Sequence, residues 1–286
     1  MFGGRSFVML ALVASACGRL HFEPRGDAAE FLDGAPTTLC DWTAGPKLGP
    51  IVRRDDLSST RDELDPYLVP GDPLTISFIS NRAGTPYSTY VARRPSLEAP
   101  FERPARIEGL DDTSGFNVVS GGLRGHVSMN NDLFEVSRAT PTSPVVIGRA
   151  LTELNAPDPD FDPVPSADEL TLSWASGAEL DIYFATRADV SAPWGNIVPF
   201  SLNVAGVGDS GAHFTRDRLV MVWQSGGDTY YATRPSPSVT FTDRVPLVVT
   251  AAVEFEPTLR EDGCELFFVQ GPAGADRDIY SIAIAP

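Results

Sequence analysis

The chain has 286 residues, and its 38 acidic and 22 basic side chains give a formal net charge of −16. This negative charge argues against binding to nucleic acid and against an electrostatic hold on anionic lipid. About 270 residues remain once an N-terminal export signal is set aside, and repeat proteins of this size form one domain.

The N-terminus has the pattern of an export signal. A positive charge at Arg5 precedes an apolar run from Phe7 to Ala14, and small residues follow it. This order predicts a secretory signal over residues 1–16, because the run is too short to span a bilayer. The small residues that close the signal also fit cleavage to a soluble secreted protein.

Cys17 stands directly after the predicted cleavage bond. The segment resembles a bacterial lipoprotein signal, in which this Cys becomes the acylated N-terminus, although Ala14 replaces the usual large aliphatic residue. Gly18 after the Cys resembles lipoproteins sent to the outer membrane, facing the periplasm or the cell surface. We therefore expect lipidation at Cys17, with this anchor as the membrane contact. Residues 17–38 lack a period and are rich in Gly, Ala, Pro and Asp, which predicts a tether.

Three Cys residues are an odd number for an exported chain. If Cys17 carries lipid, Cys40 and Cys264 remain as a pair that an oxidising compartment could join. The alternative is two unrelated thiols. A strand separates the two positions by roughly 9–10 Å, beyond disulfide reach, unless the chain before Trp42 folds back under the sheet.

An aromatic residue followed four positions later by Arg recurs at intervals of 44 to 50 residues. The pairs are Tyr90 with Arg94, Phe134 with Arg138, Tyr183 with Arg187 and Tyr230 with Arg234, and Tyr280 continues the series with Ile284 in place of the Arg. Such a period indicates stacked supersecondary units. We expect each Arg to lie along apolar surface and to pair with an acid of a neighbouring turn.

Each unit contains the signals of four strands. Apolar residues alternate after Asp72, Asp168, Asp217 and Asp262, and more weakly after Gly121. Such alternation predicts strands that turn one set of side chains to a core. Acidic-Pro segments precede three of these strands, namely ELDPYL at 63–68, DFDPVP at 160–165 and EFEPTL at 254–259. A further apolar residue lies seven positions after each Arg, at Phe101, Val145, Trp194 and Phe241.

These phrases resemble the WD-like repeat of TolB-like β-propellers. The matches are FISNRAG at 78–84, DIYFATR at 181–187, EDG at 261–263 and DIYSI at 278–282. The resemblance covers roughly residues 42–286 and is weakest at 107–150. It implies an all-β fold, a five-bladed β-propeller of four-stranded blades, as a single domain over residues 39–286. It is specific for fold and says little about function.

The fifth unit lacks its fourth strand, because the chain ends at Pro286. The segment WTAGP from Trp42 reads like WGNIVP from Trp194, so we expect the N-terminal segment to supply the outer strand of the last blade. Such closure leaves no open sheet edge. The alternatives are an open arc of five units or a sixth blade within residues 18–60.

The acidic-Pro segments carry the main functional hint. Asp65, Asp162 and Glu256 occupy equivalent places on the innermost strands, and equivalent places in a propeller form a ring around one mouth. Such a ring could bind a cation such as Ca²⁺, a basic peptide or a sugar. Alternatively, each carboxylate accepts hydrogen bonds from its own turn. His213 falls near the same mouth, either as a packing residue or as a ligand.

Signals for catalysis are weak. The three His residues have no metal-ligand spacing, and neither a phosphate-binding Gly-rich loop nor a GxSxG elbow is present. We expect no catalytic residue, no metal site and no cofactor other than Ca²⁺ at the acidic ring. The favoured function is a monomeric, non-catalytic envelope lipoprotein whose propeller face binds a protein or glycan. The alternative is a glycoside hydrolase, because five-bladed furanosidases use channel carboxylates about 5–9.5 Å apart.

Overall fold

The computed structural model describes residues 40–84, 86–271 and 276–286. The predicted signal, Cys17 and the predicted tether lie outside these residues. The described chain is almost entirely strand and turn, with one 3₁₀ turn at Ser120–Gly122. Among its helices, none is long and apolar enough to cross a membrane.

The strands form five antiparallel sheets, and the predicted five-bladed β-propeller is confirmed. Two short strands come first, β1 (Lys47–Leu48) and β2 (Val52–Arg53). Blade 1 contains β3 (Glu63–Val69), β4 (Asp72–Ser80), β5 (Ser88–Arg93) and β6 (Ala105–Asp111). Blade 2 contains β7 (Ser114–Val119), β8 (Arg124–Met129), β9 (Asp132–Ser137) and β10 (Val146–Ala150).

The remaining blades follow the same meander. Blade 3 contains β11 (Asp160–Pro165), β12 (Thr171–Ser176), β13 (Asp181–Thr186) and β14 (Gly195–Pro199). Blade 4 contains β15 (Asp209–Phe214), β16 (Val220–Ser225), β17 (Asp228–Thr233) and β18 (Val245–Val248). Blade 5 contains β19 (Val253–Leu259), β20 (Glu265–Gly271) and β21 (Asp278–Ala285). The first strand of every blade is innermost.

The N-terminal strands complete blade 5, as expected from the sequence. Strand β1 pairs with β21 through Lys47 opposite Ala285, and β2 pairs with it through Val52 opposite Ser281. Within residues 40–60, the only strands of the described chain are these two, so the hidden sixth blade and the open arc are both wrong. Closure gives the outer edge of β21 the hydrogen-bond partners that an open edge would lack.

Cys40 and Cys264 form a disulfide with their Cα atoms 5.2 Å apart. The chain before Trp42 passes under the end of the blade, where the Cys40 amide donates to the Asp262 carbonyl at 3.0 Å. Cys40 therefore reaches the turn between β19 and β20 without crossing β21. Trp42 is buried beside it and packs edge-on against Tyr231 with ring centroids 5.2 Å apart.

The aromatic residue of the repeat lies on the third strand of each blade and pairs with a residue of the second strand. The residue opposite it on the second strand is Phe78 for Tyr90, Trp174 for Tyr183, Trp223 for Tyr230 and Phe268 for Tyr280. In these four pairs the ring centroids are 5.8–6.1 Å apart. Blade 2 places Val127 opposite Phe134, which explains why its sequence repeat is the weakest.

The repeated Arg binds the carbonyl of the residue that follows the turn Asp of its own blade. Arg187 Nε donates to the Glu169 carbonyl at 2.7 Å, and Arg234 Nε to the Arg218 carbonyl at 2.8 Å. The guanidinium group also stacks on the aromatic residue seven positions later, as for Arg234 over Phe241 at 4.4 Å. These contacts fix the third strand against the turn of its own blade.

Blade 5 has Ile284 in place of this Arg. The carbonyl after its turn Asp accepts a hydrogen bond from Trp42 instead. Trp42 Nε1 donates to the Gly263 carbonyl at 3.0 Å. Gly263 has a φ of 75°, and a Cβ there would lie 2.7 Å from the same indole nitrogen. The residue after the turn must therefore be Gly in this blade, because the indole occupies the space of a side chain.

Candidate functional site

Each innermost strand carries a register shift near its beginning, and the residue at the shift has a positive φ. The values are 48° at Asp65, 60° at Gly115, 53° at Asp162, 63° at Gly211 and 48° at Glu256. The left-handed conformation costs an L-residue roughly 1–2 kcal/mol. Three acids hold it nonetheless, so their side chains have contacts that offset the strain.

Around this ring of five positions, blades with an acid-Pro pair alternate with blades that carry Gly. Asp65, Asp162 and Glu256 are each followed by Pro, and the blades between them carry Gly115 and Gly211. A Cβ on Gly115 would lie 3.1 Å from the Pro163 Cδ atom and 3.2 Å from the Asp162 Cα atom. A Cβ on Gly211 would meet the corresponding atoms of blade 5 at 3.3 Å. Gly is therefore needed at both positions, because the acid-Pro pair of the next blade packs where a side chain would lie.

The ring acids bind the next blade rather than their own turns. The Asp65 amide donates to Glu256 Oε2 at 2.7 Å, and the Gly115 amide donates to Asp65 Oδ2 at 2.9 Å. The Asp162 amide donates to the Ser128 hydroxyl of blade 2 at 3.2 Å. These bonds join blade 5 to blade 1, blade 1 to blade 2 and blade 2 to blade 3.

The sequence also allowed that the acids accept hydrogen bonds from the backbone of their own turns. That arrangement occurs at the acids two positions before the ring acids. Glu63, Asp160 and Glu254 accept hydrogen bonds from backbone amides four residues before them, for example from Ser59 to Glu63 at 2.8 Å. These carboxylates are buried in the loops that enter each blade. Sequence reasoning could not separate the two sets, because both recur with the same period.

All four residues predicted to bind a ligand, Asp65, Asp162, Glu256 and His213, line one cavity at the ring axis. Its volume is about 20 Å³, enough for roughly one water molecule. His213 is buried, lies 5.4 Å from the Tyr67 ring and has Nδ1 at 3.2 Å from the Thr258 hydroxyl. Burial lowers the pKa of His213 to about 3, so the imidazole is neutral at neutral pH.

The ring carboxyls keep part of their surface open to the channel, yet protein surrounds them closely enough to remove most of their water. Burial raises the pKa of Asp162 to about 8, and the charge of Asp65 adds to the effect. Burial also raises the pKa of Asp65 and, together with the charges of Asp65 and Asp162, that of Glu256. The Asp65 and Glu256 side chains lie close enough that each affects the pKa of the other.

This chemistry suits a closed structural ring better than an open ligand cage. Ca²⁺ takes six to eight oxygen ligands, whereas Glu256 Oε2 and Asp65 Oδ2 already accept hydrogen bonds from backbone amides. In the described residues, no group of three or more His, Cys, Asp or Glu side chains is arranged to hold a metal ion. A sugar ring is far larger than a cavity of about 20 Å³.

A larger groove, which the sequence did not reveal, lies between blades 3 and 4. Its volume is about 540 Å³, and its walls include Phe184, Phe200, Phe214 and Phe241 together with Arg218 and Arg234. One signal in the sequence marks it. Arg218 follows the turn Asp of blade 4 at the place where Glu169 follows that of blade 3.

The comparisons with known proteins agree with the fold. In sequence, no protein-family model and no curated protein matches the chain. Among solved structures, an endo-1,4-β-xylanase from Bacteroides thetaiotaomicron matches with a TM-score of 0.55 at 13% identity, covering 82% of this chain and 97% of that one. The GH43 protein BlXynB from Bacillus licheniformis matches with a TM-score of 0.55 at 9% identity, covering 82% and 56%.

TolB proteins are also among the structural neighbours. TolB from Acinetobacter baumannii gives a TM-score of 0.45 at 14% identity, and the match covers 74% of this chain but only 52%, about half, of that one. At such identities the likeness shows the fold alone. The fold and the ring together define a closed five-bladed β-propeller whose axis is occupied by hydrogen-bonded carboxyl groups.

Proposed function

We propose that this protein is a non-catalytic binding module of the bacterial cell envelope, anchored in the outer membrane by a lipid on Cys17, whose propeller face binds a protein or a glycan. The observation that carries the proposal is the state of the channel acids. Asp65 and Glu256 hold each other and the amides of adjacent blades, so they are committed to the ring and not to a substrate.

Export is supported by the bond between Cys40 and Cys264. Disulfides persist in oxidising compartments such as the bacterial periplasm and are rare in the cytosol. The segment that precedes the propeller has the signal-like pattern described above. Together these features favour an envelope address for the folded domain.

A hydrolase would use the same acids differently, which makes the two functions separable by experiment. We expect the purified protein to release no more sugar from arabinan, xylan and aryl glycosides than its triple variant Asp65→Asn, Asp162→Asn, Glu256→Gln. The removal of a real acid-base pair would abolish turnover. Hydrolysis by the parent that disappears in the folded triple variant would overturn the non-catalytic function.

The binding face can be identified by photo-crosslinking in cells that carry the full-length protein. A photoreactive residue at Glu179, in the turn between β12 and β13, reports on one face. The same residue at Arg216, in the turn between β15 and β16, reports on the other, and both positions are exposed. A face that binds a protein should give one discrete crosslinked product. Binding of the purified protein to an array of envelope glycans tests for a glycan partner. Absence of both a crosslink and a bound glycan would contradict the proposal.

A further inference from the structure

The groove between blades 3 and 4 has the size and lining of a small-molecule site. Its volume of about 540 Å³ lies within the range of roughly 300–1,000 Å³ that is usual for such sites. The rings of Phe184 and Phe214 lie 5.8 Å apart, and those of Phe214 and Phe241 lie 6.2 Å apart. These aromatic side chains form a continuous apolar wall.

Arg234 is held rigidly at one side of this wall. Its Nε donates to the Arg218 carbonyl at 2.8 Å, its Nη1 donates to the Val239 carbonyl at 3.3 Å, and its guanidinium carbon lies 4.4 Å from the centroid of the Phe241 ring. Arg218 also lines the groove, and its Nη1 donates to the Thr171 hydroxyl at 3.2 Å. Two guanidinium groups therefore border one apolar groove.

In blades 1 and 3 the equivalent Arg has a carboxylate beside it. Arg94 of blade 1 forms an ion pair with Glu265 at 2.6 Å, and Arg187 of blade 3 lies 3.7 Å from Glu169. Thr171 stands at the Glu265 position and Arg218 at the Glu169 position when the blades are aligned on their turn Asp. Both acids are thus missing at the junction of blades 3 and 4.

A third carboxylate is missing as well. Asp56 accepts a hydrogen bond from the Phe101 amide at 2.6 Å, and Glu153 accepts one from the Trp194 amide at 3.4 Å. Ser201 contacts the matching residue of blade 4 and donates its hydroxyl to the Phe241 carbonyl at 2.9 Å. At this junction the repeat keeps its cation and its aromatic ring but lacks the anions that accompany them in blades 1 and 3.

We infer that the groove binds an aliphatic monocarboxylate, whose carboxylate lies between Arg218 and Arg234 and whose apolar chain packs on the Phe wall. The ligand would supply the anion that Glu169 and Glu265 supply at other junctions. Arg–carboxylate pairs are strong, charge-assisted interactions, and the groove restricts solvent around them. The inference holds whether or not a propeller face binds a partner.

The test uses decanoate and the neutral 1-decanol, below the micellar range, with isothermal titration calorimetry and thermal melts. The parent should bind decanoate and melt at a higher temperature in its presence, and it should bind decanol at least tenfold more weakly. Arg218→Glu should weaken decanoate binding at least tenfold. This variant should still fold, because Glu169 already occupies the equivalent left-handed position beside Arg187 in blade 3.

Two further variants make the test decisive. Arg103→Glu changes the net charge equally at an exposed site outside the groove and should bind decanoate like the parent. Thr171→Glu restores the acid of the Glu265 position and should weaken binding as Arg218→Glu does, which keeps the test valid if one variant fails to fold. Absence of decanoate binding by the parent, equal binding of decanol, or unchanged binding by the folded groove variants would each overturn the inference.

Discussion

The protonation of Asp162 links the ring to the stability of the whole fold. Its pKa is about 8 in the folded protein, against 3.8 for an ordinary Asp. At neutral pH the folded state therefore keeps a proton that the unfolded chain has already lost. Stability from this group is therefore greatest at low pH and is lost as the pH rises toward 8. The free energy of unfolding should rise between pH 8 and 6.5 as the pH is lowered, by up to about 1.4 kcal/mol per pH unit for one proton.

The window ends at pH 6.5 because His126 and His213 oppose the effect below it. Burial lowers the pKa of both to about 3. Below pH 6.5 these two side chains therefore bind protons in the unfolded chain but not in the folded protein, which lowers the free energy of unfolding. Urea unfolding at three pH values measures the slope. Asp162→Asn should reduce the slope, and the raised pKa of Glu256 keeps part of it, whereas Asp168→Asn removes an exposed carboxylate and should leave it unchanged. Parallel slopes for the parent and Asp162→Asn would show that Asp162 holds no such proton.

The indole of Trp42 makes a second prediction at this scale. Trp42 and Trp194 are equally buried, but only Trp42 donates a hydrogen bond, to the Gly263 carbonyl, while the Trp194 N–H has no partner within the described chain. Trp42→Phe should cost at least about 1 kcal/mol more than Trp194→Phe, because it leaves a buried carbonyl unsatisfied. Chemical unfolding of both variants measures the difference, and equal losses would show that the bond is unimportant.

Among the elements, the N-terminal strands and their disulfide close blade 5 by two separable means. The bond joins residues 224 positions apart, and the chain-entropy treatment assigns a loop of this size about 5 kcal/mol, as an upper figure. The double variant Cys40→Ser, Cys264→Ser should lose up to this amount but remain folded. Reductant should lower the parent to the same stability and leave the variant unchanged.

A chain that begins at Asp55 should lose considerably more. It lacks the disulfide and also β1 and β2, so the outer edge of β21 becomes an unpaired strand that favours aggregation. Thermal melts and light scattering compare it with the double Ser variant. If the two were equally stable and equally soluble, pairing with β21 would contribute nothing to closure.

The sequence predicted most elements because the alternation of apolar residues and the Tyr-x-Ala-x-Arg phrase report local geometry. It left the disulfide open, since the bond depends on the path of the chain before Trp42, which no local pattern records. The ring positions were found by equivalence between units. Their hydrogen bonds to the next blade were not, because residues such as Asp65 and Gly115 lie 50 positions apart. The groove is built by side chains from two blades, and its mark in the sequence is Arg218 at the place that Glu169 has in blade 3.

For the whole molecule, the proposed anchor predicts where the protein is found in the cell. Cys17→Ser should move it from the detergent-extracted membrane fraction to the soluble periplasmic fraction. The propeller should still fold, because Cys40 and Cys264 keep their bond. A variant with Cys17 intact and Gly18→Ala serves as the matched control. Unchanged fractionation of Cys17→Ser would reject the lipid anchor.

The acid-Pro and Gly positions alternate around a ring of five blades, and an alternation of two kinds closes without a fault only when the number of members is even. One fault is therefore unavoidable, and it falls between blades 5 and 1, where Glu256 meets Asp65 and no Gly lies between them. The chain from β2 to β3 crosses this same junction. The bond from the Asp65 amide to the Glu256 carboxyl is thus the local answer to a mismatch of the whole ring, and a ring of four or six blades built on the same alternation would have no such junction.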